Sequence, residues 1–323
     1  MPSPITICSG DYDRILAFKT GAVEIEGYTV DYLNLAPPET FKRLFTEQAF
    51  DISEMSFSTY LLARARGEWP YRALPVPLSR VFPHNSIYVR EDSGIETAED
   101  LKGRLVGIPN YHFTRGLCVR GMLADEYGVR VEDVRWRTGG VDTPGGLTYL
   151  PMEPPPGVEI EAIAGDETLG GLLISGGIDA IITYRDPAVF TERHPRVHRL
   201  FPDFRPLEQD YFRRTGVFPV MHVIGVHERL LQADPGIERR IFKAFADAKA
   251  ACLPRLTDLD ALAVTLPWLV AETESTMELM GRDFWPYGLE PNRVTFETQV
   301  RWSHQQGITP RPEPLADLFL DIT

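Results

Sequence analysis

The chain is 323 residues long, 43% hydrophobic and 24% charged, enough for about two domains with a substantial core. Its formal net charge of −13 argues against a nucleic-acid partner, which would need a basic face. The three cysteines, Cys8, Cys118 and Cys252, have neither metal-binding spacing nor the number for a disulfide framework, and no apolar run reaches the ~18 residues of a membrane span.

The N-terminus passes into a strand over 5–8 with no basic region and apolar stretch before it, so no secretory signal is read and a cytoplasmic location is expected. A polar loop over 9–14 and a short helix follow, then a strand over 28–33 and a helix opened by Pro37-Pro38. Residues 51–56 (Asp-Ile-Ser-Glu-Met-Ser) read as a strand end, 59–66 as a helix, and 73–78 and 86–90 as strands. Beyond these, Thr97 with Asp100 forms a capping-box pattern, 105–108 a strand, and Thr114 is placed to cap a helix running to about Tyr127. Further strands are expected over 134–138, 179–183, 197–200 and 217–226. Helices are expected over 169–175, 208–213, 235–253, 260–269, 273–280 and 291–306. This alternation predicts an α/β protein with mainly parallel sheets.

The loop Pro109 to Arg115 is the strongest functional signal. A helix N-terminus carries unpaired N–H groups and about half a positive charge, which suits a small anion, and Arg115 adds a full charge. Two connections, near 87–90 and 218–225, suggest that residues 89–215 form a lobe inserted into a discontinuous lobe of 1–88 and 216–323. A ligand cleft is expected between them.

Several segments carry a resemblance to a known family. Residues 100–104 (Asp-Leu-Lys-Gly-Arg) with 106–109 (Val-Gly-Ile-Pro) resemble the start of the second lobe in type II periplasmic-binding-protein folds. Residues 51–56, 82–86, 114–116, 211–222 and 285–293 resemble 4,5-dihydroxyphthalate decarboxylases, along nearly the whole chain. The resemblance implies an α/β, two-lobed, type II periplasmic-binding-protein-like fold with a cleft between lobes joined by two crossing strands. It also implies a lyase of aromatic-compound degradation, within phthalate catabolism. Such an enzyme would decarboxylate a hydroxylated aromatic diacid to a catechol-type product without a cofactor. No metal or cofactor is expected. The expected partner is a small aromatic carboxylate, with no nucleic acid and no membrane. The loop over 139–157 suits either a lid or a contact in a homo-oligomer. The alternative is a solute-binding protein that captures a small carboxylate for a transporter; the lack of a signal segment weighs against it.

Decarboxylating an electron-rich ring calls for a held hydroxyl, a proton for the carbon that loses its carboxylate, and an anchor for the carboxylate that stays. His84, in a polar break between strands, and His222, alone in an apolar strand, are the candidates for proton transfer. Asp11 either caps a helix, orients a histidine or accepts a hydroxyl proton. Arg14, Arg80, Arg115 and Arg185 are candidate carboxylate forks. Ser56, Asn110 and Thr114 are candidate donors, and Tyr184 a candidate platform for the ring. His112, in the anion loop, faces either ligand or solvent. Glu54 is set aside, because a carboxylate repels an anionic ligand unless protonated.

Overall fold

The structure, a computed structural model, describes residues 3–67, 69–146 and 149–322. Eleven strands are assigned among them: β1 (Ser3–Ser9), β2 (Tyr28–Asn34), β3 (Ile52–Ser56), β4 (Tyr71–Arg80), β5 (Ile87–Arg90), β6 (Leu105–Ile108), β7 (Arg135–Thr138), β8 (Ile160–Ala162), β9 (Ala180–Ile182), β10 (Val197–Arg199) and β11 (Val220–His227). They form two sheets, ordered β2-β1-β3-β11-β4 and β10-β5-β9-β6-β7-β8. Parallel pairing runs through β2-β1-β3 in the first and β9-β6-β7-β8 in the second. Strand β11 is antiparallel to both neighbours, β3 and β4.

All five residues of β3 are buried, as expected for a strand covered on both faces. One face of the first sheet packs Ile7, Ile52, Leu74, Val76 and Ile224 against Ile241 and Phe245 of the helix Ile237–Cys252. The other packs Met55 and Val223 among Phe57, Tyr60, Phe296 and Phe319. The helix Arg293–Gln305 also reaches the second lobe, where Trp302 lies in the core with Ile108, Met122 and Trp136. Gly121 permits this approach, since a Cβ there would stand 2.1 Å from the Trp302 ring.

The chain crosses between sheets twice. It leaves β4 through residues 81–83 and the 3-10 turn His84–Ser86, and returns from the helix Phe204–Thr215 through 216–219 into β11. The two crossings are bound together by Val81 N–H donating to Pro219 O at 3.3 Å and by Arg80, which donates to Phe218 O at 2.8 Å.

Two local expectations differ from what is found, and one strand, β8, forms where the sequence pattern gives none. The helix expected over 260–269 begins only at Leu269. Asp258 accepts from the Asp260 N–H at 2.9 Å, a turn that competes with helix, and Pro267 disfavours helical geometry in the residue before it. Edge strand β8 follows a proline-rich stretch and carries no alternating pattern. Thr114 is the first helical residue of Thr114–Tyr127 rather than its cap. The capping box of Thr97 and Asp100 is present. No helix among the described residues is long and apolar enough to cross a membrane.

Candidate active site

Parallel strands with helices following them gather loop ends at their carboxyl edges. Here the segments after β1, β3, β6 and β9 converge on a cavity of about 470 Å³ between the two sheets. The first lobe contributes Tyr12, Phe41, Ser56, Thr59, Ser79, Met221 and His222; the second contributes Asn110, His112, Phe113, Thr114, Arg115, Tyr149, Tyr184 and Arg185.

Beside the first-lobe wall lies a carboxylate–histidine pair. Glu54 is completely buried, and its Oε1 lies 2.5 Å from His222 Nδ1. Register explains the meeting: β3 and β11 pair Ser56 with His222 and Glu54 with Ile224, so Glu54 and His222 are diagonal neighbours on one face. Tyr12 OH donates to the same oxygen at 2.5 Å, and the Gly10 N–H donates to Oε2 at 2.8 Å. Burial alone would raise the Glu54 carboxyl. The charge of His222, with hydrogen bonds from His222, Tyr12 and Gly10, outweighs burial and holds it below its ordinary value. The same environment, burial first and then Glu54, raises the Tyr12 phenol, which stays a donor. Since Nδ1 is engaged, Nε2 is the His222 nitrogen left to a ligand. Phe41 meets the imidazole edge-on at 4.9 Å between ring centres.

Donors mark the second-lobe wall. Thr114 Oγ1 lies 2.9 Å from Ser56 Oγ and accepts from the Ser58 N–H at 3.1 Å. The threonine expected to cap its own helix thus serves the start of helix Phe57–Ala65 across the cleft. Arg115 is held by Nη1 donating to Ser86 Oγ at 3.3 Å, and its Nε is buried with no partner among the described residues. Burial lowers the Arg115 guanidinium below its ordinary value, which is the condition of a cation awaiting an anion. Arg185 is half exposed and reaches Asp142 at 3.3 Å.

Of the residues singled out in the sequence, the cavity gathers His222, Ser56, Asn110, Thr114, Arg115, Tyr184 and Arg185. Four others stand outside its lining. Asp11 pairs with Lys19 at 2.6 Å on the surface. Arg14 donates from Nε to Leu78 O at 2.8 Å and lies over the Tyr12 and Trp285 rings. Arg80 braces the interlobe crossings as described. His84 is 2% exposed, edge-on to Phe201 and Tyr211, with Nδ1 3.9 Å from Glu208 Oε1. Both of these atoms lack a hydrogen-bond partner among the described residues. Its polar loop is covered by the helix Phe204–Thr215, which the sequence pattern does not position.

Burial pushes His84 down to about 4 and Glu208 up to about 7. A carboxyl raised on folding stabilises most fully below its unfolded value and loses that contribution as pH rises through the folded one. Glu208→Gln is therefore expected to flatten the fall in stability between pH 5 and pH 8, by on the order of 2 kcal/mol, in denaturant titrations at the two pH values.

Glu54, Tyr12, Phe41 and Tyr149 carry no sequence signal strong enough to place them here. Glu54 had one faint mark, a carboxylate within an otherwise buried run, but only the pairing of β3 with β11 supplies its partner.

No family model matches the chain. It is 36% identical over 315 residues to 4,5-dihydroxyphthalate decarboxylase from Comamonas testosteroni, covering 98% of this chain and 96% of that protein. It is 40% identical over 209 residues to the Pseudomonas putida protein of the same name, covering 65% and 81%. Among solved structures it is similar to the periplasmic aliphatic sulphonate binding protein SsuA from Escherichia coli (TM-score 0.56, 14% identity, 100% and 94% covered). It is also similar to the desulfurization enzyme DSZB (TM-score 0.51, 15% identity, 98% and 96% covered). These structural likenesses establish the two-lobed, type II periplasmic-binding-protein-like fold. The identity shared over nearly its full length shows that the chain belongs to the 4,5-dihydroxyphthalate decarboxylase family of carboxy-lyases.

Proposed function

We propose that this chain removes one carboxylate from 4,5-dihydroxyphthalate, or from a closely similar hydroxylated aromatic diacid, without a cofactor. The observation that carries the reading is the His222–Glu54 pair in an aromatic-walled cavity whose other wall presents Arg115, its Nε buried. Capture of an anion needs only donors; a buried carboxylate set behind a histidine suits proton delivery.

In this reading Arg115, with Thr114 and Arg185 beside it, holds the carboxylate that stays, and Phe41, Tyr149 and Tyr184 confine the ring. Glu54 stabilises the His222 imidazolium, which gives its proton to the ring carbon bearing the leaving carboxylate. The hydroxyl para to that carbon supplies the electron pair that accommodates the new C–H bond. The C–C bond then breaks, its electrons restore the aromatic ring, and carbon dioxide departs. His222 regains a proton from water, so one proton is consumed per turnover and the product is 3,4-dihydroxybenzoate. The protonated ring, its positive charge shared by the para oxygen, is the sink for the electrons of the breaking C–C bond, so the chemistry makes no demand for a metal or an organic cofactor.

Incubation of the purified protein with 4,5-dihydroxyphthalate tests the reading. One carbon dioxide and one 3,4-dihydroxybenzoate are expected per substrate consumed. Saturable binding with no carbon dioxide released would reject it and favour a binding protein.

A further inference from the structure

His112 belongs to the same cavity but has no part in the proton delivery above. It lies in the loop between β6 and the helix Thr114–Tyr127, on the second-lobe wall, and is 3% exposed. Its surroundings are opposite in sign to those of His222. His222 touches a carboxylate, whereas the charges that bear on His112 are the arginines Arg66 and Arg120. Arg120 is anchored next to it, donating to Tyr111 O at 2.6 Å and to Gln306 Oε1 at 2.8 Å. Burial first, and then the two arginines, lower His112 to about 4, so it is a neutral imidazole near pH 7. A neutral imidazole keeps one nitrogen lone pair and can accept a hydrogen bond, which an imidazolium cannot. The two imidazoles thus stand in opposite electrostatic surroundings within one cavity, His222 against a carboxylate and His112 beside arginines, which suits a division into acid and base.

We propose that His112 is a catalytic residue that accepts the substrate's ring hydroxyl: it takes the hydroxyl proton as the oxygen's electron pair moves into the ring. The inference rests on the decarboxylase reading. The O–H bond breaks with its proton passing to His112, while His222 gives a proton to the carbon that bears the leaving carboxylate. When carbon dioxide leaves and its bonding pair returns to the ring, His112 gives the proton back to the oxygen. His112 and Asn110 also border a second cavity of about 110 Å³, lined in part by Thr138 and Glu153, with room for about three waters. His112 thus borders both cavities.

The test compares phthalate, which has both carboxylates and no hydroxyl, with 4,5-dihydroxyphthalate, by calorimetric titration of the wild type, His112→Phe and His112→Gln. Phthalate is expected to bind all three within about threefold, which also reports an intact fold. His112→Phe is expected to bind 4,5-dihydroxyphthalate about tenfold or more weakly and to lose about 10²-fold or more in kcat. His112→Gln, which keeps an acceptor but cannot carry a proton, should recover the binding and not the turnover. Equal losses for phthalate and the dihydroxy compound, or a His112→Phe enzyme with wild-type kcat, would overturn the role of His112. A wild-type protein that binds 4,5-dihydroxyphthalate without turnover would instead overturn the decarboxylase reading.

Discussion

His222→Asn is expected to lower kcat for carbon dioxide release by about 10²- to 10⁴-fold, the usual contribution of a placed acid. The dissociation constant for 4,5-dihydroxyphthalate should stay within about tenfold, because the proposed carboxylate anchor, Arg115, lies on the other lobe. Glu54→Gln should lose much of the same activity, since an amide no longer stabilises an imidazolium through Nδ1. The double variant should be little worse than His222→Asn alone, as groups acting as one unit are not additive. The pair also predicts an acid limit. Glu54 lies below its ordinary 4.5 in the folded protein, so its contribution to stability is complete above that value and is lost as pH falls through the lower folded value. Thermal unfolding at pH 7 and pH 4 should show Glu54→Gln less sensitive to acid than the wild type. A His222→Asn protein with wild-type kcat would remove the proposed acid.

The second large effect belongs to Arg115. Among the described residues its buried Nε has no partner and the guanidinium donates to Ser86, which leaves most of the fork for a ligand. Removing one partner of a buried charge pair costs about 2–5 kcal/mol. Arg115→Gln should therefore weaken binding of both phthalate and 4,5-dihydroxyphthalate by about 30-fold to several thousandfold. Arg115→Lys should recover only part of this, because a point charge cannot offer two parallel donors. Arg185→Ala is the contrasting case. Its side chain is 55% exposed and already engaged by Asp142, so a loss of about tenfold or less is expected. Titration of the three variants separates the positions. Equal losses at Arg115 and Arg185 would mean that the carboxylate is shared rather than anchored at the buried end.

The parts of this site that were legible in the sequence are those set by local rules. The loop after β6 reads as an anion site because a strand, a proline and a helix start follow one another within ten residues. Arg115 is where that reading put it, at the first turn of Thr114–Tyr127 and in the cavity wall. His222 stood out as a lone titratable residue in an apolar strand. What periodicity does not carry is which buried strands become neighbours. Glu54 and His222 are 168 residues apart, and the β3–β11 register alone joins them. The same limit explains Arg14 and Arg80. Both stand near strand ends, as the pattern suggested, but Arg14 turns to the Leu78 carbonyl of β4 and Arg80 to the Phe218 carbonyl at a crossing, rather than to the cavity. His84 shows it again: a polar break in sequence is a cleft edge only if no helix covers it, and Phe204–Thr215 does.

A crystal structure of the protein with 3,4-dihydroxybenzoate bound tests the arrangement most directly. The product carboxylate is expected on Arg115 beside Thr114. The ring carbon that has gained hydrogen is expected within about 3.5 Å of His222 Nε2, the distance of a reactive contact. A product whose carboxylate lies against His222, or whose ring lies outside the cavity between the lobes, would contradict it.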